Sequence, residues 1–333
     1  MISGCLVSWA NRWPWTDAQY TQWVTLAPYD GWAIWMKLWH DTAGKPKLED
    51  GLRAYGSTLD YRVGALQRIF DYTVGDPEAF VPIARQLCDL NAESCGKLGW
   101  QLVNTGDSAG AADAFERYAA YARDRVGVSN HMYWLVDYYQ DTGRTARAQK
   151  LAQMAAATGS ARGLETLAHF MERTGRFDEA EEIFRSIAQR YNNSADLLGA
   201  FCIRLGRRTG DKADTEQGTR LLSKTLPRGL EPWTAADAAQ PPTDGARVTF
   251  TYPRARRLGL RQDDVIVAID GLRVRDQAAR PVLANLEIDN DMKLVIWRDG
   301  RYQELALDFP QRYFGAMFDT YKPPQQIAAG PQR

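Results

Sequence analysis

The residues best suited to catalysis or metal binding are three histidines, His40, His131 and His169, and four cysteines, Cys5, Cys88, Cys95 and Cys202. Their spacing assembles neither chemistry. A structural zinc site needs four His, Cys or carboxylate ligands converging on one point, and the chain holds no C-x-x-C and no H-E-x-x-H. The P-loop and G-x-G-x-x-G patterns that cradle phosphates on backbone amides are also absent. Glu179, Glu181 and Glu182 are explained without catalysis, because acids near a helix N-terminus complement its dipole. No catalytic residue, metal or cofactor is expected, and the chain does not read as an enzyme. Cys88 and Cys95 could face each other as a disulfide or serve as small core residues, so the redox compartment is open.

The bulk composition narrows the class. In 333 residues, Lys plus Arg and Asp plus Glu are 41 each, and zero net charge argues against nucleic acid as a partner. No run approaches 18 apolar residues, so no transmembrane segment is expected. The start lacks a charged region followed by an apolar one, which points to the cytoplasm. Ile2-Ser3-Gly4-Cys5 is similar to a bacterial lipoprotein cleavage box, and with more chain upstream it would point to the envelope or periplasm instead.

The elements come from a repeat. Thr-Gly followed by Asp or Arg recurs at Thr105-Gly106-Asp107, Thr142-Gly143-Arg144, Thr174-Gly175-Arg176 and Thr209-Gly210-Asp211. Gly44 and Gly75 extend the series upstream. A period near 34 marks stacked helical hairpins. Around Gly175, Leu164, Leu167, Ala168 and Met171 form one apolar face, and Phe177, Ala180, Phe184 and Ile187 the next. Around Gly106 the same offsets give Leu98, Gly99 and Leu102, then Ala111, Phe115 and Tyr118. Around Gly143 they give Met132, Leu135, Val136 and Tyr139, then Ala148, Ala152 and Ala155. Around Gly210 they place Gly199 and Gly206 inside a helix, which predicts a degenerate or capping repeat.

This stretch resembles a tetratricopeptide repeat (TPR) array, most closely at Thr-Gly-Arg-Phe-Asp-Glu-Ala, 174–180, and most firmly over 92–192. The resemblance implies a groove lined by the first helix of each repeat. Its groove-facing positions fall here on Trp100, Asn104, Tyr133, Asp137, Gln140, Glu165, His169 and Arg173. Aromatic and polar residues of both charge signs suit a protein or peptide segment of mixed polarity. Upstream, residues 1–62 hold seven of the eleven tryptophans. Trp32, Trp35 and Trp39 share a helical face that reads as a core stripe or as a platform for sugar or Pro-rich peptide.

After Leu226 the pattern changes. Four prolines lie between Thr225 and Gly245, then strand-like runs follow at 248–250, 265–269, 294–297 and 305–307, with Asp270-Gly271 and Asp299-Gly300 as turns. Ala255 through Gly271 resembles a bacterial, protease-associated PDZ domain, with Asp263 where that family has Gly and Pro253-Arg254 where it has Ser-Pro. The resemblance implies a small β-barrel that binds peptide by strand addition. It places the carboxylate loop at Arg228-Gly229-Leu230 and the strand at Glu231-Pro232-Trp233, where Pro232 removes one donor.

The expected architecture is mainly α. A Trp-rich helical cap spans 1–62, TPR-like hairpins forming a right-handed superhelix span 63–225, a PDZ-like module spans 226–309, and an extension with a disordered tail spans 310–333. The function implied is a protein-interaction adaptor. The alternatives are a regulatory or substrate-recruiting part of a bacterial protease system, or a carbohydrate or cell-wall binder acting through the tryptophans.

Overall fold

The computed structural model describes residues 16–26, 31–42, 77–191, 195–287, 292–307 and 314–323. Gly44, Gly75, Cys5 and the tail 324–333 lie outside them, as do the side chains of Trp32, Trp35 and Trp39. The chain divides into two compact units, Met1–Leu102 with Ser108–Ala122, and Val103–Asp107 with Arg123–Arg333.

The first unit contains α1 (Asp17–Leu26), α2 (Gly31–Asp41), α3 (Pro77–Leu90), most of α4 (Cys95–Thr105) and α5 (Ser108–Tyr121). The tryptophan stripe falls on α2, a helix as its spacing predicts. Phe80, Ile83 and Leu87 of α3 are buried, as are Leu98 of α4 and Phe115 of α5. Gly99 lets the Phe115 ring approach closely, because a Cβ there would lie 2.7 Å from the ring and displace it. Cys88, near the end of α3, is joined to Cys95, the first residue of α4.

The second unit continues with three helical hairpins: α6 (Arg125–Asp141) with α7 (Thr145–Ala156), α8 (Ala161–Arg173) with α9 (Phe177–Arg190), and α10 (Ala195–Thr209) with α11 (Lys212–Leu222). The Thr-Gly signature has a local cause. Gly143, Gly175 and Gly210 all have φ between +75° and +79°, a left-handed conformation that costs glycine little. At two of the turns the next amide reaches back over the glycine, from Arg144 to the Tyr139 carbonyl and from Arg176 to that of Met171, the bonding of a Schellman cap. The threonine hydroxyls donate to carbonyls four residues earlier, Thr142 to Tyr138, Thr174 to Phe170 and Thr209 to Leu205. The turn amides thus satisfy carbonyls that a helix end would leave exposed, while the Thr142 and Thr174 hydroxyls add a second bond to carbonyls that already accept the threonines' own amides.

The third hairpin contains Gly199 and Gly206, the glycines that predict a degenerate or capping repeat. There the glycines mark close contact: a Cβ at Gly218 of α11 would sit 2.6 Å from the Gly199 carbonyl of α10, and one at Gly206 would sit 2.7 Å from the Asp211 carbonyl. Sequence offsets count glycine as a helix breaker, whereas here its missing side chain lets two helices approach.

The β-rich module follows with β1 (Ala246–Thr251), α12 (Pro253–Arg257), β2 (Val265–Ile269), β3 (Leu272–Arg273), α13 (Ala279–Ala284), β4 (Met292–Arg298), β5 (Arg301–Leu307) and β6 (Ala316–Thr320). The antiparallel sheet runs β5-β4-β2-β1-β6, with β3 against β2. Both Asp-Gly pairs turn with positive φ, Asp270 and Gly271 at 49° and 75° and Asp299 and Gly300 at 51° and 77°, as tight hairpins require. Asp263 has φ 69°, which explains why glycine suits that position in the family the run resembles. The neighbouring Asp264 is buried and accepts from Arg298 Nε at 2.7 Å and Nη2 at 2.6 Å. The sheet continues past residue 309, since β6 pairs with β1 from Ala246↔Thr320 to Thr251↔Ala316.

One apolar core joins the last hairpin to the module. Ala200, Ile203, Leu222 and Leu226 pack in the same cluster as Ile266, Ile269, Leu283, Leu294 and Ile296. The proline-containing segment between them therefore spans a packed junction.

Two stability outcomes are expected. Replacing Cys88 and Cys95 by Ser opens a short loop and lowers unfolding free energy by about 2–3 kcal/mol, read by urea denaturation; an unchanged midpoint would show that the bridge constrains nothing. Gly218→Ala overpacks a backbone contact and costs about 1–3 kcal/mol despite alanine's higher helix propensity; a gain in stability would contradict the close approach.

Candidate functional site

The groove-facing positions can now be placed individually. On α6, Tyr133 lies under the Arg162 guanidinium, 5.4 Å from ring centroid to Cζ. Asp137 and Gln140 both accept from Arg173 Nη1 of α8, at 3.4 Å and 3.2 Å, and Arg173 Nη2 donates to Asp141 at 2.6 Å. On α8, Glu165 accepts from Arg162 at 2.8 Å and lies 3.8 Å from His169 Nε2. Trp100 packs edge-on against Phe115, and Asn104 is buried. The structure thus brings Tyr133, Asp137, Glu165 and His169 onto one surface.

That surface is covered. Glu165, Thr166, His169 and Glu172 of α8 are all buried, and the His169 ring packs edge-on against Phe184 of α9. Helix α13 of the β-rich module lies opposite them. Between the two is a cavity of about 260 Å³ lined by Tyr133, Asp137, Glu165 and His169 on one wall and by Arg280, Pro281, Ala284 and Asn285 on the other. Repeat spacing identifies one wall only. The second is supplied by residues roughly 120 positions later in the chain.

A buried ion pair fixes the two walls. Glu172 is held by Arg204 of α10 through two bonds of 2.7 Å, from Nε and Nη2. His169 Nδ1 lies 3.6 Å from the same carboxylate. Arg204 also donates through Nη1 to the Asn285 carbonyl at the end of α13, and Arg207 donates to the Leu286 carbonyl at 3.2 Å. Arginine is suited to this because its planar fork can serve a carboxylate and a carbonyl together. Burial alone raises the Glu172 carboxyl, but the Arg204 charge and hydrogen bonds, with His169 adding, hold it well below the usual carboxylate range. The pair was not visible in sequence, where Glu172 and Arg204 are two ordinary charged residues in different repeats.

The segment proposed to bind a peptide terminus is used internally. The Trp233 amide donates to the Gly271 carbonyl at 2.7 Å, the Arg273 amide donates to the Glu231 carbonyl at 2.8 Å, and Pro232 bridges to Leu272. Leu230 packs on the module core. Gly229 has φ 74° with open space around it, and Arg228 and Gly229 line a second cavity of about 250 Å³ with Arg273, Arg275, Glu231 and Asp244. Charges there are paired, Arg275 to both Glu231 and Asp244 and Arg273 to Asp237 and Asp244. Gly106-Asp107-Ser108-Ala109-Gly110 spells G-x-S-x-G, yet it joins two helices, while a nucleophile elbow needs a strand before the serine. One exposed cluster, Asp17, His40 and Asp41, brings three ligand atoms within 4.8 Å of one another, but His40 and Asp41 share one helix end with Lys37, which already pairs both acids at 3.0 Å and 2.6 Å. None of the described helices is long and apolar enough to cross a membrane.

Removing one partner of the buried pair leaves the other charge uncompensated, at a cost of about 3–5 kcal/mol. Glu172→Gln and Arg204→Met should each show it in chemical denaturation. Because the folded-state value of Glu172 lies below the unfolded one, near 4.3, its stabilisation is complete above that pH and is lost as pH falls toward the folded value. The wild type should therefore lose stability between about pH 5 and pH 2 more steeply than Glu172→Gln; parallel curves would exclude the pair as an acid-sensitive contact.

No family model matches the chain, and no curated protein matches it. Among solved structures, similar chains include MamA from Desulfovibrio magneticus RS-1, residues 41 to the end, at 16% identity over 50% of this chain and 95% of that one, with a TM-score of 0.39. A second MamA structure has 18% identity over 52% and 98%, at a TM-score of 0.39, and MamA MSR-1 has 18% over 49% and 98%, at 0.37. Superposition at that level adds nothing to what the helical hairpins themselves display.

Proposed function

We propose that this chain is a non-enzymatic interaction protein that holds protein or peptide segments against its helical hairpins and β-rich module. The observation that carries the reading is the shared cavity. Tyr133, Asp137, Glu165 and His169, positions that line ligand grooves in the TPR arrays the sequence resembles, meet there around open space and not around packed core. The wall is aromatic and carries both charge signs, a mixture suited to the polar and apolar faces of a protein segment. Zero net charge favours protein over nucleic acid as partner.

The PDZ-like reading adds a second surface. Its support is the sequence run 255–271, the two Asp-Gly hairpins and the antiparallel strand order. β6 ends the sheet, and among the described residues no strand pairs with its outer edge. An extended peptide adding there would gain main-chain hydrogen bonds. Residues 231–233 already pair with 271–273. A rigid junction between the two surfaces would let one partner touch both, raising effective concentration without new contacts.

The test is affinity capture with the intact chain, followed by direct binding of each purified partner to the wild type and to Tyr133→Ala/Asp137→Lys. Loss of a central aromatic and reversal of a charge should weaken binding by about tenfold or more. Equal affinities would reject the groove, and turnover of a substrate by purified protein without any protein partner would reject the adaptor reading altogether.

A further inference from the structure

The arginines around the 260 Å³ cavity do not all meet a carboxylate, and Arg280 is the exception among the described residues. Glu165 is met by Arg162 at 2.8 Å, Asp137 by Arg173 at 3.4 Å, and Glu172, just behind the wall, by Arg204 at 2.7 Å. Arg280 on the opposite wall is different. Its guanidinium lies over two rings, 5.0 Å from the Phe314 centroid and 4.2 Å from that of Phe318. Its Nε is buried and has no hydrogen-bond partner. Among the described residues no carboxylate pairs with it, and burial, unopposed, lowers its pKa to about 10. Contact with ring faces offsets part of the cost of burying this cation. It does not supply the acceptors that a five-donor fork demands.

We propose that the cavity is a binding site for a small carboxylate, with Arg280 as its anchor. The geometry favours this anion over others for three reasons. A guanidinium presents parallel donors at the spacing of two carboxylate oxygens. A single negative charge is enough to pair with Arg280, which meets no carboxylate among the described residues, whereas a phosphate dianion would be repelled more strongly by Glu165 and Asp137 of the same lining. The space is at the small end of ligand pockets, sufficient for an amino-acid-sized acid or the last residue of a chain. Tyr133 and Pro281 supply apolar contact, while Thr166 and Asn285 lie within the lining as polar groups. The site joins one wall from the helical hairpins to one from the β-rich module, so it belongs to neither alone. It does not depend on the adaptor reading, because a free metabolite acid would satisfy it as well as a protein terminus.

The test uses the full chain at constant ionic strength set with chloride, and reads the thermal midpoint and calorimetric binding. The probes are acetate, tri-alanine with a free C-terminus, and tri-alanine amide. Acetate and the free acid should raise the midpoint and the amide should not. A response confined to the tripeptide acid assigns a chain terminus, and one shared with acetate assigns a small free acid. Arg280→Met, which keeps an apolar stem against Phe314 and Phe318, should lose the response, with affinity falling about tenfold to a hundredfold. Arg280→Lys should recover part of it, which a packing role for the side chain would not produce. The proposal is overturned if neither acid shifts the wild type, if the amide acts like the acid, or if Arg280→Met responds as the wild type does. Groove variants that lose a protein partner but keep the acetate response would separate this site from the adaptor function.

Discussion

The buried contact of Glu172 with Arg204, extended to the Asn285 carbonyl, determines what the second unit can do. Two charges removed from water cost several kcal/mol each unless their geometry compensates. Here the carboxylate receives two bonds from Arg204, and a third guanidinium donor is taken by the end of α13. The consequence is directional. α8, α10 and the β-rich module are tied through one guanidinium, and the apolar cluster running from Ile203 to Leu294 fills in behind it. The inner face of the hairpins is thereby turned into one wall of a cavity.

This arrangement changes the meaning of the groove residues. In an open array, Glu165 and His169 would be solvated. Under α13 both are buried, so each needs partners, and each has one. On the opposite wall Arg280 meets no carboxylate among the described residues, and its Nε has no hydrogen-bond partner there. A site defined by one arginine without a carboxylate contact differs from a broad protein-binding face, because it selects by chemical group before it selects by shape. The two scales of recognition can operate together, an anion in the cavity and a larger surface around its mouth.

Stability is distributed in keeping with this division. The repeated Thr-Gly turns satisfy their own helix ends locally, and glycines at α10 and α11 allow backbone contact at 2.6–3.1 Å from a notional Cβ. These features are insensitive to pH. The Glu172 pair is not, so acid should act first on the junction between hairpins and module, through protonation of a carboxylate whose value is held low by Arg204.

Much of this was readable from residue order. The hairpins at 106, 143, 175 and 210 follow from glycine's access to positive φ, and the two Asp-Gly turns follow from the same property, because both are local conformational demands that a few neighbouring residues satisfy. The apolar faces of α6, α7 and α9 followed from period alone. The groove positions were nameable, but their burial was not, since it depends on a helix about 120 residues distant. Gly199 and Gly206 read as signs of a degenerate or capping repeat because sequence records propensity and cannot record which backbone lies opposite. β6 was invisible for a related reason: a five-residue strand after the expected end of the module is stabilised by pairing with β1, not by its own pattern. The partnership of Glu172 with Arg204, and the lack of a carboxylate beside Arg280 among the described residues, are facts about distance in three dimensions. Sequence supplies the charges; only the folded chain decides which of them meet.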